Sequence, residues 1–351
     1  MAAAADDKVS LAIGMAGQIA ALSGHEHHGE ASQLSSELTF LLDSIADPTL
    51  TVALLWTALT PKLSVGELTE CLRLAQHVID LADGDPHMGD LIIQSPLTLA
   101  LMARAATRAC LGQPGWRDEI EKSAAMCREV NPGGRPAIEL TYIYGFGILH
   151  GLLRSDTPIL QDTAETLKLA ELRGDDYALT TARLLRGLVL AQSDGPQRGD
   201  GFRLLAMARD ALLEKRFLMQ GLQLLDLENA KEKARSGDRD GAIEILRTMA
   251  DHELATGGII LRGAAVTALV EALLQRGTGV DVAAAQAAIE RLAAVRTEPG
   301  FVLNDVALLR LRALAARAQD DDPTYRDFAE RYRTMATSLG FEGHIAMAEA
   351  M

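Results

Sequence analysis

The chain has 351 residues, 48% of them hydrophobic, 23% charged and only 4% aromatic, with a formal net charge of −14. That is enough apolar material for a large core, and the shortage of aromatics beside abundant Ala and Leu argues against an all-β fold. The acid excess disfavours nucleic acid or an anionic membrane surface as a partner, and no apolar run reaches the ~18 residues that a membrane span needs.

Read in order, the chain opens with MAAAADDKVS, which lacks a basic segment followed by an apolar one, so no signal peptide is expected. Residues 8–21 and 30–45 read as a first helical hairpin joined by Ser23–Glu30. His25, His27 and His28 in that connection invite a metal reading, but with no second ligand cluster elsewhere they are expected to sit in a solvated loop. A helix containing Trp56 is expected from 49 to 60, with Pro61 as its stop. Residues 66–82 carry Leu68, Cys71, Leu72, Ala75, Val78 and Ile79 on one helical face. Residues 92–111 follow with Leu97, Leu101, Ala105 and Ala109 at four-residue steps, then a helix over 116–129. Cys71, Cys110 and Cys127 form an odd set with no close pair, which argues against a disulfide framework or thiolate zinc site and suits small core residues in a reducing cytoplasm.

The stretch 136–153, PAIELTYIYGFGILHGLL, is unusual for its glycines and aromatics. Each interior glycine costs a helix about 1 kcal/mol against alanine. A G-x-G phosphate loop does not fit, because no strand precedes it. Close helix packing explains the glycines, and a ligand-facing patch of Tyr142, Tyr144 and His150 is the functional alternative. Helices are then expected at 158–172, 176–192 and 200–214, with a turn at Asp194–Pro196, and a helix at 302–318. Residues 323–351 are more polar and suit a capping unit.

The organising stretch is 220–295, two helical hairpins in succession. In the first, Leu222, Leu225, Leu227 and Ala230 form one face, Gly237 is placed to close the helix, and Asp238 or Asp240 to cap the next. In the second, the stop falls at Gly277–Gly279 with a cap at Asp281, and Ala264, Ala265, Ala268 and Ala272 are expected to face Ala283, Ala284, Ala287 and Ala288. Hairpins of this size are marginal alone and ask to be stacked. Their second helices are expected to start near Asp118, Gln161, Gly201, Gly241 and Ala283, a longer step than the ~34 residues of a strict tetratricopeptide repeat. The expected fold is all-α: a tetratricopeptide-like α-solenoid, a right-handed superhelix forming one helical-repeat domain over 1–351, with a soft division near 131–135 and capping helices at 323–351.

No P-loop, H-E-x-x-H or G-x-S-x-G motif occurs, and the carboxylates read mostly as helix caps and solvated faces. No nucleophile is paired with a base, so no catalytic, cofactor-binding or metal residue is assigned.

The segments DDKVSLAIGMAG, DPTLTVAL, HVIDLADGDP, GQPGWR and SGDRDGAIEILR, with the run from VLNDVALLRLRALAARAQDDDPTYRDF to the C-terminus, resemble one known group. The chain is similar to the C-terminal helical-repeat region of mycobacterial-type multidomain proteins that carry a class III adenylate/guanylate cyclase, a STAND-type ATPase and then tetratricopeptide-like repeats. The likeness spans nearly all of this chain but only the last third of such a protein. The cyclase's metal-binding aspartates and the ATPase's P-loop have no counterpart here. The resemblance implies a sensor that binds a protein or a small effector and relays occupancy to an ATPase switch. With the motifs absent, the expected function is non-enzymatic, protein–protein interaction or regulatory sensing in the cytoplasm. A small-molecule effector held in the concave groove is the alternative.

Overall fold

A computed structural model describes residues 7–25, 27–193, 195–215, 218 and 220–351. Among the described residues there is no strand. Residues 1–6, Glu26 and Asp194, on which parts of the expectations for the N-terminus, the histidine connection and the turn before Pro196 fall, lie outside them.

The helices are α1 (Lys8–Gly24), α2 (His28–Ile45), α3 (Pro48–Leu55), α4 (Leu59–Val65), α5 (Leu68–Ala82), α6 (Pro96–Cys110), α7 (Trp116–Val130), α8 (Arg135–Ile138) and α9 (Tyr144–Leu149). They continue as α10 (Thr157–Arg173), α11 (Asp176–Ala191), α12 (Arg198–Lys215), α13 (Gln220–Ser236) and α14 (Arg239–Thr256). The last are α15 (Arg262–Arg276), α16 (Gly279–Ala293), α17 (Val302–Arg317), α18 (Asp322–Leu339) and α19 (Glu342–Glu349).

Their ends follow local chemistry. Asp47, Ser95, Asp156, Asp175, Asp238 and Asp321 cap the helices after them by accepting a backbone N–H. Gly66, Gly174, Gly257, Gly277 and Gly340 close the helices before them in the left-handed conformation. At α16 the expected cap is corrected. Thr278 is the cap and Asp281 its reciprocal partner, the two forming a capping box.

Most helices pack against the next in the chain, so the fold is a succession of adjacent helix pairs. α11, α13, α15 and α17 also touch one another in turn and form an inner row. The helices α7, α10, α12, α14 and α16 begin at Trp116, Thr157, Arg198, Arg239 and Gly279, about 41 residues apart.

The two ends of this array meet. Trp116 Nε1 donates to the Leu339 carbonyl at 3.4 Å, and the Trp116 and Phe341 rings stand edge to face at 5.8 Å. The backbone N–H groups of Glu342 and His344 donate to the carbonyls of Leu152 and Gly151, both at 3.0 Å. Farther round, the Ile259 N–H donates to the Ser64 carbonyl at 2.8 Å, and the Glu298 carboxylate accepts from the backbone and hydroxyl of Thr69. One core cluster accordingly runs from Ala12 to Ala348. The polar C-terminal helices thus do more than cover an end: they bury Tyr332, Ala336, Phe341 and His344 at the closure.

Several local expectations are corrected. Pro61 does not stop a helix. The chain passes through a 3₁₀ turn at Trp56–Ala58 and resumes as α4, with Pro61 in its first turn, where no N–H is required. The helix expected at 92–111 starts only at Pro96, behind the Ser95 cap. The stretch 136–153 is not one helix but α8, a π-helical turn over Glu139–Ile143 and α9. A Cβ on Gly145 would lie 2.1 Å from the Leu140 carbonyl oxygen, so this turn tolerates only glycine there. Around the expected solvated loop, α1 runs on to Gly24 and α2 begins at His28. His25 Nδ1 meets the Ala21 carbonyl, His27 Nδ1 meets Glu30 at 3.0 Å, and His28 is half-buried. No group of three or more His, Cys, Asp or Glu is arranged to hold a metal among the described residues.

Candidate functional site

A partly open cavity of about 540 Å³ lies along the inner row of helices. Three helices present a face to it at three- and four-residue spacing: Glu228, Lys231 and Arg235 from α13, Ala264, Thr267, Ala268, Glu271 and Gln275 from α15, and Asn304, Ala307 and Arg310 from α17. His150, just after α9, and His344 and Met347 of α19 complete the wall where α19 docks on the segment after α9.

The alanine stripe of α15 therefore has a second use. Ala264, Ala268 and Ala272 line the cavity as well as sharing the core cluster in which α15 packs on α16. Of their expected partners, Ala283 and Ala287 are exposed and Ala284 is half-buried, while Ala288 is buried as expected beside Ala285, Ile289 and Leu292. Small side chains here leave space for a guest.

Charge is layered in the cavity. On the inner wall the cations are paired. Lys231 meets Glu228 at 2.7 Å, and Gln192 also donates to Glu228 at 2.7 Å. Arg310 bonds Glu271, and Arg198 holds Glu232 through Nε and Nη2 at 3.1 and 2.8 Å. At the rim, Arg235 and Arg239 are exposed and stand within ion-pair distance of no carboxylate among the described residues. The lining carries more cationic than anionic side chains, against the sign of the whole chain. Glu228 is 1% exposed and Glu139, Glu253 and Asp281 are buried too, so the reading of the carboxylates as solvated caps is corrected for these four.

The two histidines differ. His344 Nδ1 lies 2.8 Å from the Tyr332 hydroxyl, and its ring packs on Gly151, whose φ of +65° and missing Cβ make room for it. Burial and the nearby Arg310 push its pKa down to about 4, although a bond to the His150 backbone pulls upward. The imidazole is thus neutral, and the arrangement assigns the proton to Nε2, with Nδ1 accepting from Tyr332. His150 stacks on Phe146 with ring centroids 4.5 Å apart, and its Nε2 has no hydrogen-bond partner. Burial, then His344 and Lys231, push its pKa down to about 3. A buried ring nitrogen without a partner is costly, and here it belongs to a cavity wall. Arg310 Nε is unpartnered as well.

The three aromatic-patch residues are not brought together. Tyr142 is 2% exposed and bonds Thr60 on α4, and burial raises its pKa. Tyr144 donates to Asp162 of α10, where Arg135 and Arg128 also converge. Burial, then Asp162, raise its pKa. Of the three, His150 alone lines the cavity. The cysteines are buried and unpaired, and burial pushes the Cys71 and Cys127 thiols up to about 12.

Sequence reasoning passed over Glu228, Lys231, Glu271, Arg310 and His344. The available signal was a second, polar stripe on α13 and α17 at helical spacing, opposite the apolar one. No family model matches the chain, and no curated protein matches it.

Proposed function

We propose that the chain is a non-catalytic regulatory sensor, built as a right-handed tetratricopeptide-like α-solenoid, that binds a small anionic effector inside its helical array. The observation that carries this reading is the cavity: a volume within the 300–1,000 Å³ range of small-molecule sites, entered past the unpaired Arg235 and Arg239 and ending on the unpartnered Nε2 of His150. The cationic rim favours an anion, and the paired inner wall offers Arg310 and Lys231 for exchange from protein to ligand carboxylates.

The inner faces of α13, α15 and α17 converge, with α19 docked beside them, on one cavity of small-molecule size, which favours a small effector over a protein in the groove. The resemblance to the sensor region of cyclase and STAND ATPase proteins fits this reading. Occupancy would then be passed to a protein partner over the outer surface.

The test is a thermal-shift screen of anionic metabolites, repeated on Arg235→Ser/Arg239→Ser and on Arg310→Met. At least one anion is expected to raise the melting temperature, with affinity about tenfold weaker for each cation removed. An unresponsive wild type, or a response untouched in both variants, overturns the proposal.

A further inference from the structure

A second place in the fold is built to take an anion, on an observation separate from the central cavity. Where Ile259 bonds Ser64, a cavity of about 210 Å³ opens between Val65–Leu68, Gly257–Arg262 and Arg296–Phe301. Arg262, the first residue of α15, lines it and is 2% exposed. Its Nη1 makes a long 3.4 Å bond to the Gly257 carbonyl, while Nε and Nη2 have no hydrogen-bond partner.

These two nitrogens form one edge of the planar guanidinium and aim their N–H groups in the same direction. Elsewhere in this chain the same edge grips a carboxylate with both nitrogens: Arg73 on Glu70, Arg198 on Glu232 and Arg276 on Asp281. At Arg262 the edge is bare. Burial lowers the pKa of this arginine, and Glu253 acts on it electrostatically in the opposite sense. A buried guanidinium with two unbonded donors is out of keeping with how the chain treats its other arginines.

The surroundings agree. Arg296 is exposed and lines the same cavity. Glu298, the carboxylate in the lining, is already engaged by Thr69. α15 starts at this end with no side-chain cap on its first turn, so the positive end of its dipole is uncovered.

The geometry points to a binding site for a small oxyanion, a carboxylate or a phosphate monoester, held by the Nε/Nη2 edge of Arg262 with Arg296 as the outer cation. Both nitrogens are shielded from water, so the side chain turns toward the cavity as the anion enters, gaining two charge-assisted bonds. The lining comes from three stretches far apart in sequence, so occupancy fastens the closure between α4–α5 and the loops before α15 and α17 and stabilises the folded chain by mass action.

The experiment is thermal unfolding in rising inorganic phosphate, and separately malonate, at constant ionic strength with chloride as the control. The wild type is expected to gain several degrees in at least one of the two, and which one responds identifies the class. Arg262→Met is expected to lose the gain, Arg296→Ser to bind about tenfold more weakly, and Arg310→Met to keep it. No response in the wild type overturns the assignment, as does an equal response in Arg262→Met. A response lost in Arg310→Met instead belongs to the central cavity and overturns it too. Should Arg262→Met not fold, an undiminished response in Arg296→Ser has the same force.

Discussion

The hairpins from α10 to α17 and the segment from α1 to α9 are made of the same kind of helix, yet they solve different problems. In the later part, alternate helices start at intervals of about 41 residues, run unbroken between their ends, and meet mainly their neighbours in sequence. In the earlier part the backbone is broken twice, at the 3₁₀ turn before Pro61 and at the π turn over Glu139–Ile143. It also buries an ionic knot in which Arg135 bonds both Glu139 and Asp162 at 2.7 Å. The difference follows from the number of partners. The earlier part packs against its own neighbours and also receives α18 and α19, and irregular backbone lets one segment face two ways.

The sharpest break of the comparison is Ala265→Glu in the regular part. Ala265 is fully buried, so the longer side chain has no room and its carboxylate loses its water; a loss of about 3–5 kcal/mol is expected, with unfolding that spreads beyond α15. Urea unfolding followed by circular dichroism checks this, and a midpoint equal to the wild type contradicts it.

A pH series separates, by sign, the closure made by α19 from the π turn of the earlier part. His150 and His344 titrate in the fold at about 3 and about 4, below the 6.5 of the unfolded chain. Their contribution is therefore complete above pH 6.5 and is lost as pH falls from there toward the folded values, by ~1–2 kcal/mol per histidine at pH 5. Glu139 works the other way: burial, opposed by Arg135, pushes its carboxyl from 4.5 up to about 7, so its contribution is complete below 4.5 and lost as pH rises through about 7. Urea midpoints between pH 5 and 7 are expected to fall toward acid, less steeply in His150→Phe and more steeply in Glu139→Gln. Identical slopes in all three proteins would remove both groups from the account.

The smallest effects come from one substitution made at two glycines. Gly145→Ala forces a methyl into the Leu140 carbonyl and is expected to cost ~1–3 kcal/mol. Gly17→Ala, on an exposed turn of α1 with nothing within 4 Å, is expected to gain ~0.5–1 kcal/mol. Thermal melts of equal sign would show that the π turn is not what holds Gly145.

Legibility in the sequence follows the same division. Asp238, Gly237 and Gly277 act within a turn of their own position, so the hairpin ends at 236–239 and 276–279 could be read directly. Pro61 misled because a proline is a stop or a first-turn residue according to what the preceding turn does, and Trp56–Ala58 settles that only in three dimensions. The alanines of α15 were visible, but whether a small residue invites a helix or leaves a void depends on the element opposite. The pairing of Lys231 with Glu228 and of Arg310 with Glu271 could not be separated from ordinary solvated charge, since what distinguishes it is burial by other helices.

Helical periodicity, caps and glycine stops, all of them interactions over three or four residues, determined by themselves that this chain is helical and where most helices begin and end. The tertiary structure alone decided that the C-terminal helices dock on the segment after α9, that His150 and His344 face one cavity while Tyr142 and Tyr144 turn elsewhere, and that Arg262 is buried with its fork unoccupied. Those outcomes depend on contacts between residues as far apart as Ser64 and Ile259 or Gly151 and His344, which no local pattern encodes.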